Sequence, residues 1–235
     1  MPSEKEVYEK HAVEYEALVF HEDYQGNILK SVKEIVALEG LDVLDLGSGT
    51  GRLACLLAPY IKTIAAFDLS PHMLGITRDK LKLLTQDTRS PTPWLVTASD
   101  HRFLPLAARS ADLITSGWSV SYVTVWDPED WRHQANAWLL EARRLLRKNG
   151  TIILFESLGT GYESPQRLAH LENFYEWLDE NGFKNKWIRT DYQFESPEKA
   201  SEIAGFFFGA EMKTRILQER MTILPECTGV WWLNI

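Results

Sequence analysis

Apolar residues recur along this chain in two rhythms. Short runs, Val43 to Leu46, Ile64 to Phe67, Trp94 to Ala98, Asp112 to Ser116 and Thr151 to Phe155, are apolar enough for strands buried on both faces. Between them the spacing becomes helical. Arg52 to Ala58 reads as a helix ending at Pro59, another helix begins at Pro71 behind a Ser70 cap, and residues 128 to 148 carry Trp131, Ala135, Trp138, Leu139, Ala142, Leu145 and Leu146 on one face. Arg143, Arg144, Arg147 and Lys148 suit the end of that helix, and Asn149-Gly150 reads as its stop. Such alternation predicts an α/β fold with a doubly wound, mostly parallel sheet, whose ligands lie outside the carboxyl ends of the strands. Further on, 166 to 181 reads as helix, 187 to 195 as strand six, 197 to 219 as helix and 228 to 234 as strand seven. Ahead of the sheet, Glu4 to Phe20 and Gly26 to Leu38 read as two helices.

The chemistry concentrates where the first strand ends. Val43-Leu44-Asp45-Leu46-Gly47-Ser48-Gly49-Thr50-Gly51-Arg52 is an apolar run carrying a carboxylate into a glycine-rich turn. Glycine lets the backbone turn tightly and approach a ligand that a β-carbon would exclude. Arg52 stands where a dinucleotide fingerprint needs its last glycine, and the Gly-Lys-Ser/Thr of a phosphate loop is absent. Asp45 would repel phosphate and receive an ammonium group. A nucleoside carrying an amino acid, S-adenosylmethionine, fits that description. The stretch resembles the first motif of the class I S-adenosylmethionine-dependent methyltransferases, of the small-molecule type that includes ubiquinone and menaquinone biosynthesis, and the similarity runs from about residue 40 to the end.

The resemblance implies a Rossmann-like methyltransferase fold of seven strands with an N-terminal helical cap over residues 1 to 39, and a cofactor site spread over several strand ends. Asp45, Gly47, Ser48, Gly49 and Gly51 belong to the turn. About twenty residues on, Asp68 ends the second strand and can accept both ribose hydroxyls. Leu69 and Met73 would flank the adenine, although Met73 reads equally as core. Asp100 would accept the adenine amino group, with His101 contributing mainly through its backbone. Ser116 and the loop Gly117 to Tyr122 would lie under the methyl donor. Trp118 and Tyr122 there are substrate walls or plain core aromatics; the Asn/Asp/Ser-Pro-Pro-aromatic motif of DNA-amine methyltransferases is not present. In related enzymes the cap often places a tyrosine beside the cofactor's carboxylate. Tyr24 on the cofactor side and Tyr15 on the substrate side are the candidates, against simple packing of the cap.

Composition narrows the partners. The chain has 235 residues, no linker-like tract, and a formal net charge of -8, which favours one domain and argues against binding nucleic acid through its phosphates. Two cysteines, Cys55 and Cys227, and six scattered histidines support neither a disulfide framework nor a metal site. No apolar stretch approaches the length of a membrane span and no signal segment opens the chain, so a soluble cytoplasmic protein, monomer or homodimer, is expected. Methyl transfer needs the acceptor in line with the methyl carbon and sulfur, and positioning alone supplies much of the rate. Tyr122, Glu156 and His11 are candidates for a general base, and no catalytic residue is singled out. The expected activity is methyl transfer to an O, N or C atom of a small molecule. RNA or protein modification, and cofactor binding without catalysis, are the alternatives.

Overall fold

The computed structural model describes residue 6 and residues 10–86 and 91–235. The first residues of the expected cap helix, Glu4 onward, lie mostly outside the described residues. Among the described residues, two cap helices, α1 (Ala12–His21) and α2 (Asn27–Ile35), precede β1 (Asp42–Leu46). There follow α3 (Arg52–Leu57), β2 (Thr63–Asp68), α4 (Pro71–Gln86), β3 (Trp94–Ala98), β4 (Ala111–Gly117), the short α5 (Val123–Trp126), α6 (Trp131–Leu145) and β5 (Leu146–Thr160). The last third holds α7 (Glu172–Glu180), β6 (Lys184–Arg189), β7 (Tyr192–Gln193), α8 (Pro197–Glu219), β8 (Ile223–Leu224) and β9 (Glu226–Asn234).

Seven strands form one sheet in the order β3-β2-β1-β4-β5-β9-β6. The strands β1 to β5 pair in parallel, whereas β9 runs antiparallel between β5 and β6. Alternate residues of each strand therefore serve opposite cores. On one face Leu46, Ile114, Ile152 and Leu154 meet Trp138 and Ala142 of α6 and Phe174 and Trp177 of α7. On the other, Val43, Ile64, Leu113, Ile153 and Phe155 meet Leu53, Leu57, Leu74 and Leu81 of α3 and α4, with Ile28 and Val32 of α2. Both faces being covered is why the strand runs are continuously apolar. A third, smaller cluster joins Leu18 of α1 to Tyr192, Phe194, Ala200, Ile203 and Ile216, so the cap rests on α8.

Several boundaries differ from the sequence reading. The helix expected over 128 to 148 ends at Leu145, and Arg147, Lys148, Asn149 and Gly150 lie in β5. Asn149 does take the left-handed conformation of a helix stop, with φ 66, but its N–H donates to the Ile235 carbonyl and Ile235 donates back to Gly150. A partner at the far end of the sequence thus extends the strand. Expected strand six, 187 to 195, divides into β6 and β7, which pairs separately with β8. The helix expected at 166 to 181 is shorter, a turn at Ala169–Leu171 followed by α7. The long helix α8 has the expected bounds but kinks at Gly209, whose φ of 86 and ψ of -178 are not helical.

Candidate active site

The turn after β1 is built from alternating left-handed glycines, Gly47 (φ 72), Gly49 (φ 53) and Gly51 (φ 81), a conformation that costs glycine nothing. Each is required for a different reason. A β-carbon on Gly47 would stand 1.8 Å from the Ser119 Oγ, and one on Gly51 would strike Thr77 at 2.6 Å. Around Gly49 the space is open except for the Tyr15 ring at 3.9 Å. So Gly51 serves the packing of α4, while Gly49 faces a void.

That void is a cavity of about 610 Å³. The turn lines it through Gly47, Ser48, Gly49 and Thr50, together with Asp45, Asp68, Leu69, Asp100 and His101 from the ends of β1, β2 and β3. Trp118, Ser119, Tyr122 and Trp126 after β4 line it too, as do Tyr15 and Val19 of the cap. Two buried hydroxyls on this wall, Ser48 Oγ and Thr50 Oγ1, have no hydrogen-bond partner among the described residues. Buried donors of that kind are ordinarily satisfied, so their presence fits a polar ligand.

The three acids differ in state. Asp45 is buried, accepts from Thr115 Oγ1 at 2.9 Å and from the Ala54 N–H at 3.1 Å, and desolvation still pushes its pKa up to about 7. Asp68 ties the turn to β2: Oδ2 accepts the Gly49 N–H and Oδ1 the Ser70 N–H, both at 2.8 Å. Burial raises its pKa against those bonds. Asp100 is instead held in the fork of Arg102, Nε on Oδ1 at 2.9 Å and Nη2 on Oδ2 at 2.5 Å, which lowers its pKa. The ring of His101 is neutral, because burial lowers its pKa to about 4.

Other expected residues stand elsewhere. Met73 is fully buried in α4 and is not among the residues lining the cavity, which fits its reading as core. The Ser116 hydroxyl donates to the Leu46 carbonyl at 2.5 Å and joins β4 to β1, and Ser116 is not among the residues lining the cavity. Tyr24 sits half-exposed in the turn after α1, beside a shallow depression with Phe20 and His21, because the chain reverses before its ring can reach the sheet. Glu156 lies beneath the cavity wall, accepting from Ser121 Oγ at 2.8 Å, with burial raising its pKa to about 8. His11 packs edge-on against Phe206 of α8. Of the candidate bases only Tyr122 lines the cavity.

Sequence reading missed Arg52, Arg102, Ser119 and Trp126 on this wall. Trp126 was legible as the position one helical turn after Tyr122, on which it stacks at 5.1 Å. Arg102, two residues after Asp100, gave no sign in the sequence of holding that carboxylate. Nothing local marked Arg52, which reaches 30 residues back to Glu22 in the cap.

The family model described as a methyltransferase domain matches residues 44–154. A malonyl-[acyl-carrier protein] O-methyltransferase from Hahella chejuensis is 28% identical over 152 residues, covering 64% of this chain and 46% of the relative. A demethylmenaquinone methyltransferase from Tropheryma whipplei is 27% identical over 130 residues, covering 55% and 45%. The chain thus spans less than half the length of either relative. Among solved structures, the YcgJ protein of Bacillus subtilis superposes with a TM-score of 0.57 at 16% identity, covering 90% of this chain and 98% of that one. A SAM-dependent methyltransferase from Aquifex aeolicus gives 0.53 at 16% identity, with 88% of each chain covered. Residues 44–154 thus match a methyltransferase domain, and the glycine turn between two strand-end acids and the sheet order are those of the fold shared with the S-adenosylmethionine-dependent methyltransferases that the chain resembles.

Proposed function

We propose that this chain, acting as one folded unit of cap and sheet, transfers a methyl group from S-adenosylmethionine to an O, N or C atom of a small molecule. The observation that carries the reading is continuity: the glycine turn with Asp68 and Asp100, and the aromatic wall of Trp118, Tyr122 and Trp126, share one cavity. The residues fit the cofactor. Open space at Gly49 admits the amino-acid portion close to the backbone, and Ser48 and Thr50 offer hydroxyls without partners among the described residues. Asp45 supplies a carboxylate for the ammonium group. Asp68 keeps acceptor capacity for the ribose beyond its amide bonds. Asp100 and the exposed face of Leu69 border the place left for adenine.

When bound, the cofactor supplies an activated methyl group on a sulfonium leaving group. The protein's own part is positioning. Tyr15, Trp118, Tyr122 and Trp126 line the remaining space as an aromatic wall, in which Trp118 is sandwiched between Arg52 and Phe155 and Tyr122 stacks on Trp126. Holding reactants in near-attack geometry contributes about 7 to 11 kcal/mol, so no strong base is required for an acceptor that is already nucleophilic. Of the three candidate bases, Tyr122 is the one that lines the cavity and could serve an acceptor that must lose a proton. The relatives' names refer to different acceptors, so the acceptor atom rests with experiment. Incubation with S-adenosylmethionine and a metabolite panel, followed by assay of S-adenosylhomocysteine, tests the reading. Turnover with at least one small molecule is expected. Tight cofactor binding with no turnover across the panel overturns catalysis, and absence of binding overturns the whole reading.

A further inference from the structure

Arg52 occupies an uncommon position for a cation. Its side chain is 17% exposed, lines the cavity, and lies with its guanidinium carbon 4.3 Å over the Trp118 ring. Trp118 in turn stacks on Phe155 of β5, with ring centroids 6.0 Å apart, so the guanidinium is the outer layer of a rigid pile. One arm, Nη2, donates to Glu22 Oε2 of the cap. The other, Nη1, is buried and has no hydrogen-bond partner among the described residues, and the same holds for Glu22 Oε1. A guanidinium normally meets a carboxylate with both arms of its fork. Here half of the fork is unused and shielded just behind the wall of a ligand-sized cavity that the residue lines, where an unsatisfied charged donor is costly.

The acids of the cavity gather at one end, where Arg102 neutralises Asp100, and the Arg52 guanidinium, paired on one arm with Glu22, stands at the other. Asp45, Asp68 and Asp100 stand at the ends of β1 to β3, on the side assigned to the cofactor. Arg52 stacks on the loop leaving β4, and Lys10 adds a second cation to the lining. Building on the methyltransferase reading, we propose that the acceptor is a carboxylate-bearing small molecule, anchored through its carboxylate on the cavity-lining guanidinium of Arg52. Its apolar part then lies against Trp118, Tyr122 and Trp126, and the carboxylate is the handle that sets its orientation.

The test uses the full chain loaded with S-adenosylhomocysteine, titrated by calorimetry with benzoate, phenylacetate and hexanoate and with their neutral amides. At least one acid is expected to bind about tenfold more tightly than its amide, as a charge-assisted contact implies. Arg52→Gln should abolish that preference and leave S-adenosylhomocysteine affinity within twofold. Glu22→Gln, which frees the Arg52 fork, should strengthen acid binding severalfold; it carries the test should Arg52→Gln not fold. Equal binding of acids and amides by the wild type overturns the proposal, as does a preference that survives Arg52→Gln. A tenfold loss of S-adenosylhomocysteine affinity in Arg52→Gln also overturns it, since Arg52 would then serve the cofactor's own carboxylate. Failure of the wild type to bind S-adenosylhomocysteine removes the underlying reading, whereas normal binding without acid preference removes this inference alone.

Discussion

The Gly49 N–H donates to Asp68 Oδ2 at 2.8 Å, so the acid that ends β2 also holds the tip of the turn that ends β1. One carboxylate thereby fixes the backbone beside the cavity and lines the cavity itself. Replacing it should disturb both. Asp68→Ala is expected to weaken S-adenosylmethionine by at least about 1.5 to 3 kcal/mol, the range for hydrogen bonds to a charged group. Asp68→Asn, which keeps an acceptor for Gly49, should lose less. Calorimetry on both variants checks this, and unchanged affinity in Asp68→Ala would remove the residue from the site.

The three turn glycines should respond differently to alanine. Gly49→Ala meets only backbone strain and the Tyr15 ring, so the protein should fold, with cofactor affinity lowered about tenfold or more because the new methyl group enters the cavity. Gly51→Ala runs into Thr77 inside the protein and should show itself as a melting temperature several degrees lower. Binding and melting curves measured on the pair separate the two roles. Equal effects on both properties in both variants would contradict the assignment.

Stability should fall as pH rises from about 6.5 to 8.5. Burial raises Asp45 to about 7 and Glu156 and Glu226 each to about 8, so the folded chain keeps protons that the unfolded chain has already lost. With more protons bound in the folded state, the slope of unfolding free energy against pH is negative, and this stability is lost through the folded pKa values. His101, lowered to about 4, acts with the opposite sign but only below about 6.5. Each acid contributes on the order of 1 kcal/mol across the window, or a few degrees of melting temperature. Thermal melts of the ligand-free protein at the two ends should show the fall, and Glu156→Gln should reduce it. A melting temperature that rises with pH here would refute the account.

Trp126 is half-exposed, stacked on Tyr122 and part of the cavity wall. Trp126→Ala should therefore raise the acceptor KM several-fold while leaving cofactor affinity and melting temperature nearly unchanged. Steady-state kinetics against both substrates checks this, and a selective loss of cofactor affinity would place the residue on the other side of the cavity.

How far the sequence reveals this molecule depends on how local each cause is. The strands β1 to β4 and the turn at Gly47 to Gly51 were legible because their causes are local: continuous apolar runs, terminal acids, and glycines where φ must be positive. The start of β5 was not, since Asn149-Gly150 mimics a helix stop and only its bonds with Ile235 show otherwise. In the site, Asp68 and Asp100 could be found from strand ends, yet the sequence offered no sign that Arg102 occupies the Asp100 carboxylate. Tyr24 failed to reach the cavity for a similar reason: residues 23 to 25 turn, and Asp23 spends its carboxylate on the Asn27 and Ile28 amides at the start of α2.

Ser119 Oγ occupies the volume in which any side chain at position 47 would have to begin. The turn after β1 and the loop after β4 are therefore interlocked like a tongue in a slot, and neither can change shape alone. Laboratory evolution of this site should encounter a barrier there: Gly47→Ala becomes tolerable only in company with Ser119→Gly, and acceptor-loop libraries that enlarge position 119 should be purged for lost cofactor binding.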